Sequence, residues 1–314
     1  MNFTHALIAR RTFLKAALPL FGFGLSRITA IQTPIERGRF GPDDLPCIRD
    51  QLLQLVNNER AAVGAPPLVF DDLASRVALE HAADMATGNF LSHWGRDGRK
   101  PYQRYSFAGG SDAMEENVSA AENIASITPK GVSTDLADMH AVMHAEVPPN
   151  DWHRQAMLAP QHTHVGFGVG LNERSLRLAE IYVSRYVHID PIPQQAKVKA
   201  TVVLTGRLLN ANHFLHEVDV FYEPLPKPPD ANWLRTPRPY ALPDNRVQLR
   251  PKAPGRTVYT DGTKGDYDWS RDGTFRVPAK LSEDLPGVYT IVFWLRRVPA
   301  ERAFQAAQIC ISAE

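Results

Sequence analysis

The stretch that most restricts the fold of this chain runs from Trp152 to Gly170. It opens with His153 and Arg154 in a polar pattern typical of a helix start, and it ends in an apolar run, Val165–Leu171, in which glycine alternates with apolar residues. Such a run predicts a buried strand. A helix start that leads directly into a core strand places polar side chains at a cleft. The residues before this stretch are therefore expected to supply partners for His153.

The chain divides into two parts by composition. Its 314 residues are enough for about two domains. Residues 46–189 show helical periodicity around the predicted strand and a following one at 176–188, with Asp71 and Ser133 as helix caps. Residues 195–314 are rich in proline and carry short strand patterns, including 198–209 and 257–260. We predict an α+β fold, with an α-β-α sandwich at 46–189 followed by an all-β, sandwich-like domain at 195–314.

The first 30 residues predict an export signal rather than part of the fold. Arg10 and Arg11 precede Phe13-Leu14-Lys15 and a short apolar run, which resembles a twin-arginine signal, and residues 31–45 form a leader. We expect a periplasmic or secreted protein with no transmembrane helix in its mature form, although an uncleaved anchor is the alternative. The net charge of +1 gives no indication of a nucleic-acid partner.

The chain has two cysteines, Cys47 and Cys310. In an oxidising compartment the two can form a disulfide that ties the first domain to the last strand. Two free thiols are the alternative.

Several motifs of the first part occur in an order that resembles a known family. They are Asn57-Asn58-Glu59-Arg60, Ser92-His93 with the loop Asp97-Gly98-Arg99, a Glu-Asn-apolar unit, His153-Arg154-x-x-Met157-Leu158 and the strand Val165–Val169. Residues of about 46–188 resemble the CAP superfamily, which comprises cysteine-rich secretory proteins, antigen 5 and pathogenesis-related 1 proteins. The resemblance implies a CAP-type α-β-α sandwich with a cleft lined by two histidines and two acidic residues.

The resemblance assigns His93 and His153 as the two cleft histidines. The first acidic residue is Glu116 or Glu122, and the loop length favours Glu116. The second acidic residue is expected on the helix before His153.

At the expected position of this second acidic residue stands Met143 or His144 instead. Glu146 and, further on, Asp151 are the acidic residues nearby, and Glu146 is the residue we expect in the cleft.

Imidazole and carboxylate groups suit zinc or another divalent cation, so His93, His153 and Glu116 are candidate metal ligands. A structural hydrogen bond between the histidines and Glu116 is the alternative. His162 and His164 follow Pro160 and are interpreted as loop residues.

Two functions fit these residues. One is an extracytoplasmic module that binds a small apolar ligand, such as a lipid or sterol, or a cell-envelope component. The other is a metal-dependent hydrolase that uses His93, His153 and Glu116. The chain lacks the Gly-x-Ser-x-Gly and His-Glu-x-x-His motifs of common hydrolases. A third possibility is sugar stacking on aromatic residues of the second part, which are Trp233, Tyr240, Tyr259, Tyr267 and Trp269.

Overall fold

The computed structural model describes residues 40–314 except residues 125, 237, 299 and 300. The predicted export signal therefore lies outside the described residues. The helices of the described part are α1 (Leu45–Ala62), α2 (Asp72–Gly88), α3 (Pro101–Phe107), α4 (Pro129–His144), α5 (Trp152–Leu158) and α6 (Ala231–Leu234). No helix of these residues is long and apolar enough to cross a membrane.

The strands form three sheets. The first contains β1 (Val69–Phe70), β2 (Ala113–Glu122), β3 (His164–Leu171) and β4 (Ser175–Ser184), in the order β1-β3-β4-β2. The second contains β5 (Val187–Ile189), β7 (Thr201–Leu208), β10 (Asp268–Trp269) and β11 (Thr274–Lys280), in the order β10-β11-β7-β5. The third contains β6 (Gln195–Ala196), β8 (Phe214–Pro224), β9 (Arg246–Leu249), β12 (Gly287–Arg296) and β13 (Phe304–Ala313), in the order β6-β13-β12-β8-β9.

The first sheet lies between two helical layers. Apolar residues of β3 and β4 such as Phe167 and Leu178 pack with α1, α4 and α5 in one core. On the opposite face, Ile181 and Val183 pack with α2 and α3. The fold is α+β, as predicted, and the helices of both layers follow the apolar periodicity of the sequence.

The alternating glycines of β3 allow α2 to approach the sheet closely. A Cβ atom built on Gly166, Gly168 or Gly170 would lie 2.0–2.2 Å from backbone atoms of α2. Only glycine leaves room for this contact, because real Cβ contacts do not fall below about 3 Å. The predicted buried strand is confirmed, and its glycines fix the position of α2.

The second and third sheets enclose a separate apolar core. Leu204 and Val277 from one sheet meet Ile291 and Ile309 from the other. This arrangement of two sheets around a shared core is that of a β-sandwich. The two parts of the chain also contact each other, because Val288 and Cys310 belong to the same core as α2 and α3.

Some local predictions are wrong. Helix α4 begins at Pro129 and is capped by Thr128, which accepts a hydrogen bond from Gly131 N, so Ser133 lies inside the helix. The strand predicted at 176–188 ends at Ser184, and β5 pairs with β7 of another sheet. Residues 257–260 form no strand. The cap at Asp71 is confirmed, because its carboxylate accepts a hydrogen bond from Ala74 N at 2.6 Å.

The predicted disulfide between Cys47 and Cys310 is wrong, because both residues are free cysteines in the structure. Cys47 is exposed at the start of α1, which packs on one face of the first sheet. The thiol of Cys310 is buried in the core on the opposite face, near Tyr102 O and Thr290 Oγ1. The sheet therefore stands between the two sulfur atoms.

Candidate functional site

The site is built around β2, the edge strand of the first sheet. Neighbouring residues of a strand point to opposite faces. Glu116 points to the α2 face, where it meets His93, and Asn117 points to the α4 face, where it meets Glu180 and His153. The strand thus holds groups from both faces of the sheet at a single edge.

His93 lies in the loop between α2 and α3, and its imidazole faces a carboxylate. Nδ1 is 3.0 Å from Glu116 Oε1, and the His93 carbonyl accepts a hydrogen bond from Arg104 Nη1 at 2.7 Å. The side chain is 12% exposed. Tyr240, from the second part of the chain, packs edge-on against the imidazole with ring centroids 4.7 Å apart.

Glu116 is a fully buried carboxylate with cationic and polar partners. Its second oxygen, Oε2, accepts a hydrogen bond from Arg104 Nη2 at 2.6 Å, and His81 Nε2 lies 3.9 Å from Oε1. Burial alone would raise the pKa of Glu116, but Arg104, His81 and His93 lower it to about 2. Glu116 is therefore ionised at neutral pH.

For the two histidines on this face, burial outweighs the opposing effect of Glu116 on the pKa. Burial lowers the pKa of His93, while Glu116 opposes this shift, and His153 and Arg104 lower the pKa further. Burial also lowers the pKa of His81 to about 4. His81 Nε2 is 2.8 Å from Ser92 O, so His81 is a hydrogen-bonded histidine of the core.

His153 forms the second histidine–carboxylate pair. It lies in the first turn of α5, and its Nδ1 is 2.5 Å from Glu146 Oε1, while its backbone N–H donates to Glu146 Oε2 at 3.1 Å. The side chains of His153 and Glu146 are 12% and 15% exposed. Asn117 Nδ2 donates to the His153 carbonyl at 3.1 Å and so connects the second pair to β2.

A buried ionic network lies on the α4 side of Asn117. His140 Nδ1 is 2.7 Å from Glu180 Oε1, and His140 Nε2 is 2.8 Å from Glu59 Oε2. Burial alone would lower the pKa of His140, but the two carboxylates raise it to about 10. Tyr182 Oη donates to Glu180 Oε2 at 2.8 Å. The network joins α1, α4 and β4 behind the His153 pair.

The alternative acidic residues have other partners. Glu122 lies at the end of β2 and pairs with Arg177 at 2.8 Å. Asp151 accepts a hydrogen bond from Gln155 Nε2. Met143 is buried in the core, and His144 lies 3.5 Å from Glu59. Among the acidic residues that the sequence offers, the structure places Glu116 and Glu146 against the two cleft histidines.

His162 and His164 lie apart from these two pairs. His162 is in the loop before β3, but it is buried rather than exposed, and its Nδ1 is 3.0 Å from Ser184 Oγ. His164 is the first residue of β3.

Two residues of the site, Arg104 and Tyr240, could not be recognised as such from the sequence. Arg104 carries the charge that holds Glu116 ionised, and Tyr240 Oη accepts a hydrogen bond from Glu116 N at 2.7 Å. Arg104 is one of many arginines and belongs to no quoted motif. Tyr240 lies 124 residues after Glu116, in the other part of the chain.

The residues that were predicted as metal ligands do not form a metal cage. Within the described residues, no group of three or more His, Cys, Asp and Glu side chains is arranged to hold an ion. Both oxygens of Glu116 are engaged, one by His93 and the other by the guanidinium of Arg104. A cation next to Arg104 would be repelled, so Glu116 does not fit the role of a metal ligand.

The part of the chain that carries these motifs matches a protein-family model. Residues 53–186, less than half of the chain, match the model of the cysteine-rich secretory protein family, CAP. None of the curated proteins compared with this chain matches it.

Among solved structures, the chain is similar to an extracellular protein containing an SCP domain from Bacillus anthracis, with 23% identity and a TM-score of 0.36. The match covers 47% of this chain and 45% of that protein, so the chain spans less than half of its length.

The chain is also similar to an outer surface protein from Borrelia burgdorferi, with 15% identity and a TM-score of 0.35 over 47% of this chain and 96% of that one. The CAP domain of enterococcal PrgA is 14% identical with a TM-score of 0.35, over 46% of this chain and 64% of that one. The range that matches the family model contains His93, Glu116, Glu146 and His153.

Proposed function

We propose that this protein is an exported ligand-binding protein whose cleft holds a small apolar molecule by a hydroxyl group. The cleft is defined by His93, Glu116, Glu146 and His153. The observation that carries the proposal is that Nδ1 of each cleft histidine faces a carboxylate oxygen, at 3.0 and 2.5 Å.

This pairing determines whether Nε2, the other nitrogen of the imidazole, donates or accepts a hydrogen bond. An ionised carboxylate is only an acceptor, so a neutral imidazole beside it carries its proton on Nδ1. Nε2 then has a lone pair and accepts a hydrogen bond. Because the pKa of Glu116 is about 2 and that of His93 is lowered, His93 presents such an acceptor at neutral pH. A hydroxyl group is a matching donor.

An aromatic ring lies next to the His93 imidazole, and a second aromatic residue precedes His153 in the sequence. The ring of Tyr240 packs on His93, and Trp152, which precedes His153, is 42% exposed. Aromatic side chains of this kind contribute large apolar contact area around a few polar groups, which is typical of small-molecule sites.

The same geometry argues against nucleophilic catalysis. Within the part of the chain that the structure describes, neither His93 nor His153 forms a hydrogen bond to a serine, threonine or cysteine side chain. A histidine that activates a nucleophile needs such a contact.

A divalent cation is the alternative occupant of the cleft. Nε2 of His93 and of His153 would be its ligands, and the ion would supply Lewis-acid chemistry. Metal analysis of the purified protein tests this alternative: a stoichiometric ion that is absent from the His93→Ala variant would favour it.

Export is the second part of the proposal. It rests on the twin-arginine pattern at residues 10–15. The periplasm and the extracellular medium are the two compartments that this signal allows. Fusion of residues 1–35 to a reporter that is active only after export would test it, with Arg10→Lys/Arg11→Lys as the control.

Binding is best tested with two probes that differ in one group. The mature protein is titrated with the fluorescent sterol dehydroergosterol and with its acetate ester, which lacks the hydroxyl donor. We expect the free sterol to bind at least about tenfold more tightly, on the scale of one lost hydrogen bond to a buried acceptor. Equal affinity for the two probes, or no binding of either, would contradict the proposal.

A further inference from the structure

A pocket lies where the two parts of the chain meet. It has a volume of about 440 Å³, which is within the range of small-molecule sites. Its lining comes from the His93 loop on one side and from residues 227–233 on the other, namely Trp94, Gly98, Lys227, Pro228, Pro229, Asp230 and Trp233. None of these residues belongs to the His/Glu cleft, although Trp94 follows His93 directly.

The walls of this pocket are held in place by specific contacts. Gly98 has a φ of +81°, and a Cβ atom on it would lie 2.3 Å from Lys227 O, so the two backbones meet at the closest approach that glycine permits. Beyond Lys227 in the sequence, the carbonyl of Ala241 accepts a hydrogen bond from Lys100 Nζ, at the end of the His93 loop, at 2.9 Å. The segment is therefore fixed against the His93 loop at two points.

The two tryptophans of the pocket form an aromatic corner. Trp94 and Trp233 have ring centroids 5.3 Å apart and stand at 90° to each other. The guanidinium of Arg238 lies 4.5 Å from the Trp233 ring centroid, and Asp230 Oδ1 accepts a hydrogen bond from Trp233 N at 2.8 Å. The ring contacts with Trp94 and Arg238 orient the indole of Trp233, and the hydrogen bond to Asp230 fixes its backbone.

One cation and one anion complete the lining. Neither Lys227 nor Asp230 forms an ion pair with another of the described residues. Both residues are exposed in the pocket wall. An ammonium donor and a carboxylate acceptor with no net charge between them are suited to hydroxyl groups rather than to a charged ligand.

We infer that this pocket binds a neutral saccharide, with one pyranose ring against the Trp94–Trp233 corner and its hydroxyls on Lys227 and Asp230. The C–H bonds on the face of a pyranose carry partial positive charge, and the faces of an indole carry partial negative charge. A sugar ring matches both features of the pocket, since one side of it is apolar and its rim is hydroxylated. The inference does not depend on the function proposed for the His/Glu cleft.

Calorimetric titration of the mature protein with chitotetraose and with cellotetraose tests this inference. We expect at least one of these neutral tetrasaccharides to bind and to change the tryptophan fluorescence. Trp233→Ala should weaken binding at least about tenfold, which is the scale of a lost aromatic stacking contact. Absence of binding of both sugars to the wild type would overturn the inference.

A second variant covers the case in which Trp233→Ala disturbs the fold. Lys227 is exposed, so Lys227→Ala should leave the fold intact and weaken binding about three- to tenfold. Lys130→Ala changes another exposed lysine, on α4, and should bind as the wild type does. Equal affinities of the Lys227→Ala and Lys130→Ala variants would overturn the inference. His153→Ala should retain sugar binding, which separates this pocket from the cleft.

Discussion

Glu116 and Asn117 are adjacent on the edge strand β2, and each holds one of the two cleft histidines from an opposite face of the sheet. Glu116 contacts the ring of His93 directly, whereas Asn117 donates to the backbone carbonyl of His153. The spacing of the two histidines therefore depends on a single dipeptide. A shift of β2 by one residue would turn each of the two side chains to the other face of the sheet, so both contacts would be lost.

Replacement of Asn117 by alanine should destabilise the protein. Asn117 is buried, and its amide donates to His153 O and, at 3.5 Å, to Glu180 Oε2. Removing this donor leaves buried acceptors without a partner, which costs about 1–3 kcal/mol. Urea denaturation should show this loss, and Asn212→Ala in an exposed turn should show almost none. Equal stabilities of the two variants would contradict the role assigned to Asn117.

The stability of the protein should fall in acid because of Glu116. The folded-state pKa of Glu116 is about 2, below its ordinary value of 4.5. A depressed carboxyl pKa gives stability that is present above pH 4.5 and is lost as the pH falls toward 2. The lowered pKa of Glu116 should contribute on the order of 3 kcal/mol to the free energy of unfolding at neutral pH.

Glu116→Gln should therefore be less stable than the wild type at pH 7 and should lose less stability between pH 4.5 and 2. Thermal unfolding across this range provides the measurement. Asp268→Asn, at an exposed ion pair with Lys252, serves as the control. A wild-type curve that is parallel to the Glu116→Gln curve would show that Glu116 is not held ionised.

The protonation states of His93 and His140 should differ at pH 7.5. The pKa of His93 is lowered, chiefly by burial, so its imidazole should be neutral with the proton on Nδ1. The pKa of His140 is raised to about 10, so both of its ring nitrogens should carry protons. Nitrogen-15 NMR of labelled histidines distinguishes these states, with His140→Gln and His93→Gln for assignment.

The His140 network should also give alkaline sensitivity. A raised histidine pKa gives stability that is fully present below pH 6.5 and is lost as the pH rises through about 10. His140→Gln should lower the free energy of unfolding by about 3–5 kcal/mol, since Glu180 and Glu59 lose their cationic partner. His188→Gln, at an exposed histidine, should have little effect. Equal loss in both variants would contradict a cationic His140.

Gly168→Ala should disrupt the contact between β3 and α2. The new Cβ would lie 2.0 Å from Ala78 C, a backbone atom that cannot move without shifting the helix. The cost should exceed the 1–3 kcal/mol typical of overpacked side chains. Gly41→Ala introduces the same methyl group where no atom lies within 4 Å, so it should be neutral in the same denaturation experiment.

Features encoded by nearby residues could be predicted from the sequence. The Asp71 cap, the apolar periodicity of α1 and the alternation in β3 are local patterns, and the structure confirms them. Strand β2 was not predicted, because its Glu-Glu-Asn segment does not alternate. Its polar residues are buried by partners from distant elements, such as Arg104 on α3 and His153 on α5.

Contacts between the two parts of the chain could not be predicted from the sequence. Tyr240 reaches the backbone of Glu116 from 124 residues away, and no local pattern encodes this contact. The disulfide prediction failed for the same reason. The order of residues does not reveal that the first sheet separates Cys47 from Cys310.

If the two histidine–carboxylate pairs bind a hydroxyl-bearing apolar ligand, replacing both imidazoles should weaken its binding. The most direct measurement is titration of dehydroergosterol into the wild type, the His93→Gln/His153→Gln variant and a His188→Gln control, each first shown to be folded. We expect the double variant to bind at least about tenfold more weakly, while the His188→Gln variant should bind as the wild type does. Equal affinities of the wild type and the double variant would contradict this expectation.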